Sequence, residues 1–161
     1  MRARPKRVLC VASGGGHLEQ MLACVDALRG HRVVIGLYGW PNLADFEHPG
    51  VDHLRFVLCG GAKGIGVFVS LLVGVVQWTW IILTERPDVI LSTGAELAIA
   101  PIVIGKVLFR RRTVFVESAA RKENASLTGR AVYPFCDAFF VQGESLLRFY
   151  GPKARYAGRL L

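Results

Sequence analysis

Apolar residues along this chain alternate between short continuous runs and longer helical repeats. Residues 8–12 form an apolar run that ends in a glycine-rich turn at residues 13–16, a pattern typical of a buried strand followed by a turn. From His17 the apolar residues recur every three or four positions and stop near Gly30, which predicts an amphipathic helix. The first part of the chain is therefore predicted as strand, turn and helix.

The same alternation continues through the rest of the chain. Further strands are predicted at residues 33–38, 53–58, 89–92, 113–116 and 138–141. Helices are predicted at residues 65–84 and 97–109, a helical turn at residues 144–150, and a loop or irregular helix at residues 39–50. Strands that alternate with crossover helices imply a parallel, doubly wound sheet. Because 161 residues fit one domain, the fold is predicted as a single Rossmann-like α/β domain over residues 1–161.

Residues 65–84 carry no charged side chain over a length that could span a bilayer. The strands on either side must pair in one sheet, however, and a spanning helix would carry unpaired strand edges into lipid. We therefore predict an apolar crossover helix. One stripe of this helix carries small or polar residues (Gly66, Ser70, Gly74 and Gln77), and the opposite face carries bulky ones (Phe68, Leu72, Val76 and Trp80).

Two interpretations of this helix stay open. It is either a core crossover helix, or a helix with one face on the sheet and the other on lipid or a partner subunit. Lys63 and the run Arg110-Arg111-Arg112 would suit anionic headgroups near it, although a charge cluster is also typical of a solvated face.

The composition of the chain limits the kinds of molecule that it is expected to bind. The chain has 20 basic and 12 acidic residues, a formal charge of +8, and 52% hydrophobic residues, which excludes a disordered chain. The surplus of positive charge favours a phospholipid surface, a phosphorylated substrate or nucleic acid. Nucleic acid is the weakest of these, because the basic residues are scattered and no recognition motif is present.

The sequence contains no pattern typical of a metal site, a cofactor site or a targeting segment. The four cysteines and four histidines lack metal-ligand spacing, so no metal or cofactor is expected. The basic start is followed by only a short apolar run, so no signal peptide is predicted and the protein is expected to face the cytoplasm.

The first candidate for chemistry is the turn after the first strand. In doubly wound sheets ligands bind beyond the carboxyl ends of the strands. This turn consists of Ser13, Gly14, Gly15, Gly16 and His17. Its backbone amides are suited to phosphate, and His17 is a candidate base or phosphate ligand, with a structural role as the alternative. Glu19 stands where the dinucleotide fingerprint needs a third glycine, which disfavours NAD.

Two later turns supply further candidates. Thr93, Gly94 and Glu96 follow a strand and could hold a sugar or phosphate, or Thr93 could cap a helix with Glu96 as its capping-box partner. Glu117 directly follows the next strand and could bind sugar hydroxyls, act as a base or pair with Arg121. Arg121 and Lys122 are candidate diphosphate ligands, Ser118 is a further candidate for substrate binding, and residues 126–130 are predicted to cap a short helix.

Four motifs in this order, at residues 8–21, 117–121, 126–130 and 137–142, resemble a known family. It is the membrane-associated subunit of the two-subunit UDP-N-acetylglucosamine transferase of dolichol-linked oligosaccharide synthesis. Its bacterial counterparts are the PssD-type proteins of capsule and exopolysaccharide assembly. Two departures are the absence of a membrane helix before the first strand, which favours the bacterial branch, and Gly143 where many relatives carry tryptophan.

The resemblance implies the acceptor-side, N-terminal half of a GT-B glycosyltransferase divided between two chains. A partner subunit would supply the C-terminal half that binds the UDP-sugar, and the acceptor would be a polyprenyl diphosphate carrying one sugar. The glycine turn would face the acceptor diphosphate, with Glu117 and Arg121 nearby and with His17 or Glu117 as the base. We expect a chain that is inactive alone and lies on the cytoplasmic face of the membrane, peripheral or monotopic. The alternatives are a non-catalytic anchor for the partner and a self-sufficient enzyme that binds a sugar nucleotide.

Overall fold

A parallel sheet forms the centre of the molecule. The computed structural model describes residues 4–38, 46–58 and 65–160, and for residues 65–71 the backbone alone. Within these ranges the strands are β1 (Arg7–Val11), β2 (Arg32–Tyr38), β3 (His53–Val57), β4 (Val89–Ser92), β5 (Arg112–Val116), β6 (Ala138–Val141) and β7 (Ala154–Tyr156). All neighbours pair in parallel, in the order β3-β2-β1-β4-β5-β6-β7. The predicted α/β class and the six predicted strands are confirmed.

The connections between the strands are mostly helical. The helices are α1 (Gly16–Ala27), α2 (Ile65–Glu85), α3 (Ile99–Val107) and α4 (Leu127–Val132), with 3-10 turns at Glu96–Ala98, Tyr133–Phe135 and Glu144–Phe149. The single helix predicted at residues 97–109 is wrong in its start, because a 3-10 turn precedes α3. Residues 39–45 of the predicted loop lie outside the described residues.

β7 is the strand that sequence analysis missed. It has three residues, two of them exposed, and it lies at the edge of the sheet beside β6. A segment of three residues is too short to show an apolar run or a clear alternation of apolar and polar residues. Its pairing with β6, which joins Phe139 to Ala154 and Val141 to Tyr156, is what makes it a strand.

Helices cover both faces of the sheet. On one face, Trp78 of α2 and Ile102 of α3 share a buried cluster with Phe115 and Phe139 of the sheet. On the other face, Met21 of α1 is buried in a second cluster. The strand order reverses between β1 and β4, and their helices, α1 and α3, lie on opposite faces. Ligand sites of doubly wound sheets lie at such a reversal, at the carboxyl ends of the strands.

Helix α2 has one buried and one exposed face. Gly74, Trp78 and Ile82 are buried against the sheet, whereas Leu72, Val76 and Trp80 are 65%, 68% and 65% exposed. The interpretation of α2 as wholly core is therefore wrong, and its outer face is open along the described turns. The side chains of Phe68 and Ser70 lie outside the described residues, as does Lys63. No helix in the described part of the chain is long and apolar enough to cross a membrane.

Candidate functional site

His17 is held against the end of β4 by two reciprocal hydrogen bonds. Its Nδ1 lies 2.9 Å from the carbonyl oxygen of Thr93, and the Thr93 hydroxyl donates to the carbonyl of His17 at 2.8 Å. Because a carbonyl only accepts, Nδ1 must carry a proton, so the neutral form of the ring has its lone pair on Nε2. Nε2 has no hydrogen-bond partner among the described residues. This tautomer is the one that a general base requires.

Gly94 allows the imidazole to lie close to the β4 loop. Its φ is +114°, and a Cβ at this position would lie 2.8 Å from Cε1 of His17. The Ser92 hydroxyl donates to the carbonyl of Val11 at 2.8 Å and accepts from the Gly94 amide at 3.2 Å, which ties the end of β4 to β1. The Ser92 hydroxyl thus joins the ends of β1 and β4, and a larger residue at position 94 would collide with the His17 ring that lies against this loop.

The alternative role for Thr93 and Glu96, a helix-capping pair, is wrong. The 3-10 turn Glu96–Ala98 receives no side-chain cap from the described residues, and the residue before it, Ala95, has a φ of 67°. The Thr93 hydroxyl is already engaged with His17, and the exposed Glu96 carboxylate accepts from the Tyr38 hydroxyl at 3.1 Å. Thr93 therefore positions His17, and Glu96 lies on the β2 side of the same edge.

The glycine turn before His17 is open toward the part of the chain that the structure describes. A Cβ built on Gly14, Gly15 or Gly16 would meet no described atom within 4 Å, and Gly15 has a φ of +70°. No described side chain caps the start of α1. Within the described residues the amides of Gly16 and His17 have no acceptor, so this turn presents free N–H groups and the positive end of the helix dipole. Such a surface suits a phosphate oxygen.

Unlike the glycine turn, the Glu117 carboxylate is fully buried, and both of its oxygens accept hydrogen bonds. Oε1 accepts from the Ser118 amide at 2.9 Å, and Oε2 accepts from the Ser126 amide and hydroxyl at 3.2 and 2.9 Å and from the Tyr150 hydroxyl. Burial, together with the neighbouring carboxylate, raises the pKa of Tyr150 well above its usual range. Of the three roles left open for Glu117, the pairing with Arg121 is wrong, since Arg121 instead donates to Asn124 at 3.1 Å. The geometry favours a positioning role for Glu117 over a base role.

The remaining predicted residues lie along the loop after β5. The Ser118 hydroxyl accepts from the Ala120 amide at 3.3 Å, whereas Arg121 and Lys122 are exposed and lack a carboxylate partner within the described residues. The Ser126 hydroxyl accepts from the Gly129 amide at 2.8 Å, so the predicted cap of α4 is confirmed. The loop after β5 therefore carries two exposed cations, Arg121 and Lys122, and Glu117 anchors the start of this loop through its hydrogen bonds.

Two buried glutamines, which sequence analysis did not single out, join the parts of this site. Oε1 of Gln20 accepts from the Ala119 amide at 3.1 Å and from Nε2 of Gln142 at 2.6 Å, and Gln142 also donates to the Glu117 carbonyl at 2.9 Å. They connect α1, the β5 loop and the end of β6. Both fall inside the motifs at residues 8–21 and 137–142, but nothing in a single sequence indicates that side chains 122 positions apart meet.

A family model described as "Oligosaccharide biosynthesis protein Alg14 like" matches residues 61–160. The chain belongs to the Alg14 family. Among the family's members, the UDP-N-acetylglucosamine transferase subunit ALG14 of Eremothecium gossypii is 27% identical over 99% of this chain and 82% of its own length. The corresponding subunit of Yarrowia lipolytica is 35% identical over 48% of this chain and 38% of its own length. The resemblance to the dolichol-pathway subunit family is confirmed, and the PssD-type resemblance stays a prediction.

Solved structures confirm the fold of this Alg14-family chain. MurG from Acinetobacter baumannii superposes with a TM-score of 0.74 at 18% identity, over 95% of this chain and 46% of that one. A UDP-N-acetylglucosamine 2-epimerase from Rickettsia bellii superposes with a TM-score of 0.73 at 11% identity, over 98% of this chain and 46% of that one. The chain thus spans less than half of each of these structures, as expected of one Rossmann-like half of a GT-B fold.

Proposed function

We propose that this chain is the acceptor-binding, membrane-associating subunit of a two-component glycosyltransferase. The partner would bind a UDP-sugar, and the acceptor would be a polyprenyl diphosphate that carries one sugar. The family match and the relatives named as transferase subunits support a glycosyltransferase subunit. A role in capsular or exopolysaccharide synthesis rests on the sequence resemblance alone.

The observation that carries the proposal is the His17 imidazole, held at Nδ1 beside an open glycine turn. In the proposed reaction the free amides of Gly16 and His17 bind the acceptor diphosphate, and Nε2 of His17 takes the proton from the acceptor hydroxyl as it attacks the sugar. The Thr93 carbonyl, 2.9 Å from Nδ1, orients the ring and stabilises the imidazolium that forms. Leaving-group stabilisation would come from the partner.

The cations of the β5 loop complete the proposed acceptor site. Arg121 and Lys122 are exposed at the carboxyl edge of the sheet, and their charge complements a diphosphate. Ser13 and Ser118 lie at the ends of β1 and β5 and supply hydroxyls on the same edge. Glu117 acts through the loop that it anchors, since its own oxygens are occupied.

Membrane association is assigned to the exposed face of α2. Leu72, Val76 and Trp80 lie one helical turn apart and are each about two-thirds exposed. A soluble surface helix does not usually present such an apolar row, and a monotopic contact with the cytoplasmic leaflet would cover it.

The test is reconstitution with the partner subunit, a UDP-sugar and a lipid diphosphate acceptor. We expect no product from this chain alone and turnover with the partner. His17→Gln should lower kcat by about 100-fold or more, the usual contribution of a general base. His31→Gln is the matched control, because His31 also contacts backbone through Nδ1 but at the opposite edge of the sheet. Full activity of His17→Gln would contradict the proposed base, and turnover without partner would contradict the divided enzyme.

A second candidate, the non-catalytic anchor, is favoured by the same exposed α2 face. On that hypothesis His17→Gln would keep full activity with the partner, whereas Val76→Ser/Trp80→Ser would release the complex from membranes. Kinetics of the first variant and membrane flotation of the second distinguish the two functions.

A further inference from the structure

A polar groove lies at the amino edge of the sheet, opposite the site described above. It is a groove of about 660 Å³ at the starts of β1, β4 and β5. Its lining consists of Arg4, Pro5, Lys6, Arg7, Asp88, Arg110, Arg111 and Arg112. Neither the family match nor the proposed transfer reaction gives it a role.

The groove carries unbalanced positive charge. Of its charged residues only Asp88 is acidic, and Oδ2 of Asp88 accepts from the backbone amide of Arg7 at 2.8 Å. Within the described ranges none of the cationic side chains of the groove forms an ion pair, whereas Arg55 and Lys106 elsewhere pair with Glu85 and Asp137. Concentrated like charge without counter-charge destabilises the protein unless an anion is nearby.

Arg111 points to the kind of anion. Its Nε is buried and lacks a hydrogen-bond acceptor in the described structure. A buried donor without a partner costs free energy, and a phosphate oxygen in the groove would supply the missing acceptor. The backbone fixes the arginine run at the end of α3. Arg110 has a φ of 50°, and the Arg111 amide donates to the carbonyl of Gly105 in α3 at 2.8 Å. Guanidinium groups match phosphate geometry better than ammonium groups do.

Apolar side chains beside the groove point to the source of the phosphate. Helices α2 and α3 pack together, and both end at this edge. Trp80 and Leu83 in the last turns of α2 are 65% and 51% exposed, and Val107 and Leu108 at the end of α3 are 58% and 66% exposed. Exposed apolar side chains next to unpaired arginines suit a membrane surface, where tails and headgroups are adjacent.

We propose that this basic groove binds the phosphate groups of anionic phospholipids and fixes the amino edge of the sheet at the membrane surface. The proposal rests on the membrane contact of α2 and adds a headgroup site at its C-terminal end. The α2 face then lies along the membrane, with the headgroup site at one end and the glycine turn of β1 toward the other. The lipid class is any glycerophospholipid with net negative charge.

The test is vesicle co-sedimentation of the whole chain. Vesicles contain phosphatidylcholine alone or an equal mixture with phosphatidylglycerol. We expect tighter binding to the mixture, and we expect Arg110→Gln/Arg112→Gln to weaken that binding about 25-fold, since each cation near a charged surface contributes roughly fivefold. Arg148→Gln/Arg155→Gln is the matched control, because it removes two exposed charges away from the groove. Equal losses in both double variants would overturn the site in favour of diffuse charge.

Two further variants test the Arg111 Nε contact and the α2 contact separately. Arg111→Lys keeps the charge but removes Nε, so the headgroup site predicts a several-fold loss and unchanged binding would overturn it. Val76→Ser/Trp80→Ser should weaken binding to both kinds of vesicle. If that variant binds normally while the groove variants do not, the α2 contact fails and the headgroup site stands.

Soluble ligands separate the sources of phosphate. Titration of inorganic phosphate and glycerol 3-phosphate, followed by NMR of the arginine side chains, should show binding far weaker than that of mixed vesicles. Tight binding of either soluble ligand without vesicle preference would overturn the lipid assignment. Groove-dependent binding of single-stranded nucleic acid tighter than vesicle binding would do the same.

Discussion

Thr93 and His17 hold each other through two hydrogen bonds, one from each residue to the other's carbonyl. The bonds are 2.9 Å from Nδ1 of His17 and 2.8 Å from the Thr93 hydroxyl. They join the first turn of α1 to the loop after β4, at the point where the strand order reverses. The pair sets both the tautomer and the position of the proposed base.

Thr93→Val tests this positioning directly. The substitution keeps the shape of the side chain but leaves the His17 carbonyl without its donor, so we expect a loss of about 1 kcal/mol in stability and a larger fall in kcat than in affinity for acceptor. The measurements are thermal unfolding and steady-state kinetics of the reconstituted pair. Thr113→Val is the control, because the buried Thr113 hydroxyl also donates to a carbonyl, that of Phe135 at 2.6 Å, away from the site. Comparable kinetic losses in the two variants would argue against a role for Thr93 at the base.

Tyr150→Phe tests the buried contact with Glu117. Loss of a hydrogen bond to a carboxylate should cost about 1.5–3 kcal/mol in the free energy of unfolding. Because folding raises the pKa of Tyr150, through burial and then through Glu117, this group stabilises the fold below the ordinary tyrosine pKa of 10.0 and progressively less above it. Wild-type stability should therefore fall with alkaline pH more steeply than that of the variant.

Denaturant unfolding between neutral and alkaline pH gives both quantities. Tyr156→Phe is the control, since Tyr156 is exposed on β7 and its hydroxyl makes no hydrogen bond in the described structure. Parallel pH profiles for wild type and Tyr150→Phe would show that the contact with Glu117 is not linked to proton binding.

Glu85 at the end of α2 predicts a pH dependence of the opposite sign. Burial raises the pKa of Glu85, but hydrogen bonds and charges from His53 and Arg55 outweigh burial and lower the pKa below its ordinary value of 4.5. The carboxylate therefore stabilises the fold above that value and loses its effect as the pH falls further. Glu85→Gln should destabilise by about 1.5–3 kcal/mol at neutral pH, with the difference from wild type shrinking in acid.

Urea unfolding across the acid range measures this effect. Glu123→Gln, which alters an exposed carboxylate without an ion pair among the described residues, should leave the midpoint unchanged. A wild-type advantage over Glu85→Gln that stays constant into acid would refute the linkage.

Gly36→Ala tests how α2 is held on the sheet. A Cβ on Gly36 of β2 would lie 2.5 Å from the buried ring of Trp78, so the helix or the ring must shift. Overpacking of this kind costs about 1–3 kcal/mol and should lower Tm. Gly143→Ala, where the nearest atom would be 3.7 Å away, is the control. Equal Tm values for Gly36→Ala and wild type would mean that α2 is not packed tightly there.

The sequence by itself determined the alternation of strands and helices, because hydrophobic periodicity is a local property. It therefore predicted the sheet, the glycine turn before His17 and the apolar character of α2 without any knowledge of contacts. It also predicted the Ser126 cap, since the capped amide of Gly129 lies three residues away in the chain.

Only the tertiary structure decided how distant residues meet. The partners of Glu117 proved to be Ser126 and Tyr150 and not the nearby Arg121, and Thr93 bonds His17 across 76 positions and does not cap its own helix. The strand β7, the Gln20–Gln142 contact and the arginine groove likewise depend on strand order and on which side chains share an edge. These are properties of packing in three dimensions, and local periodicity carries no information about them.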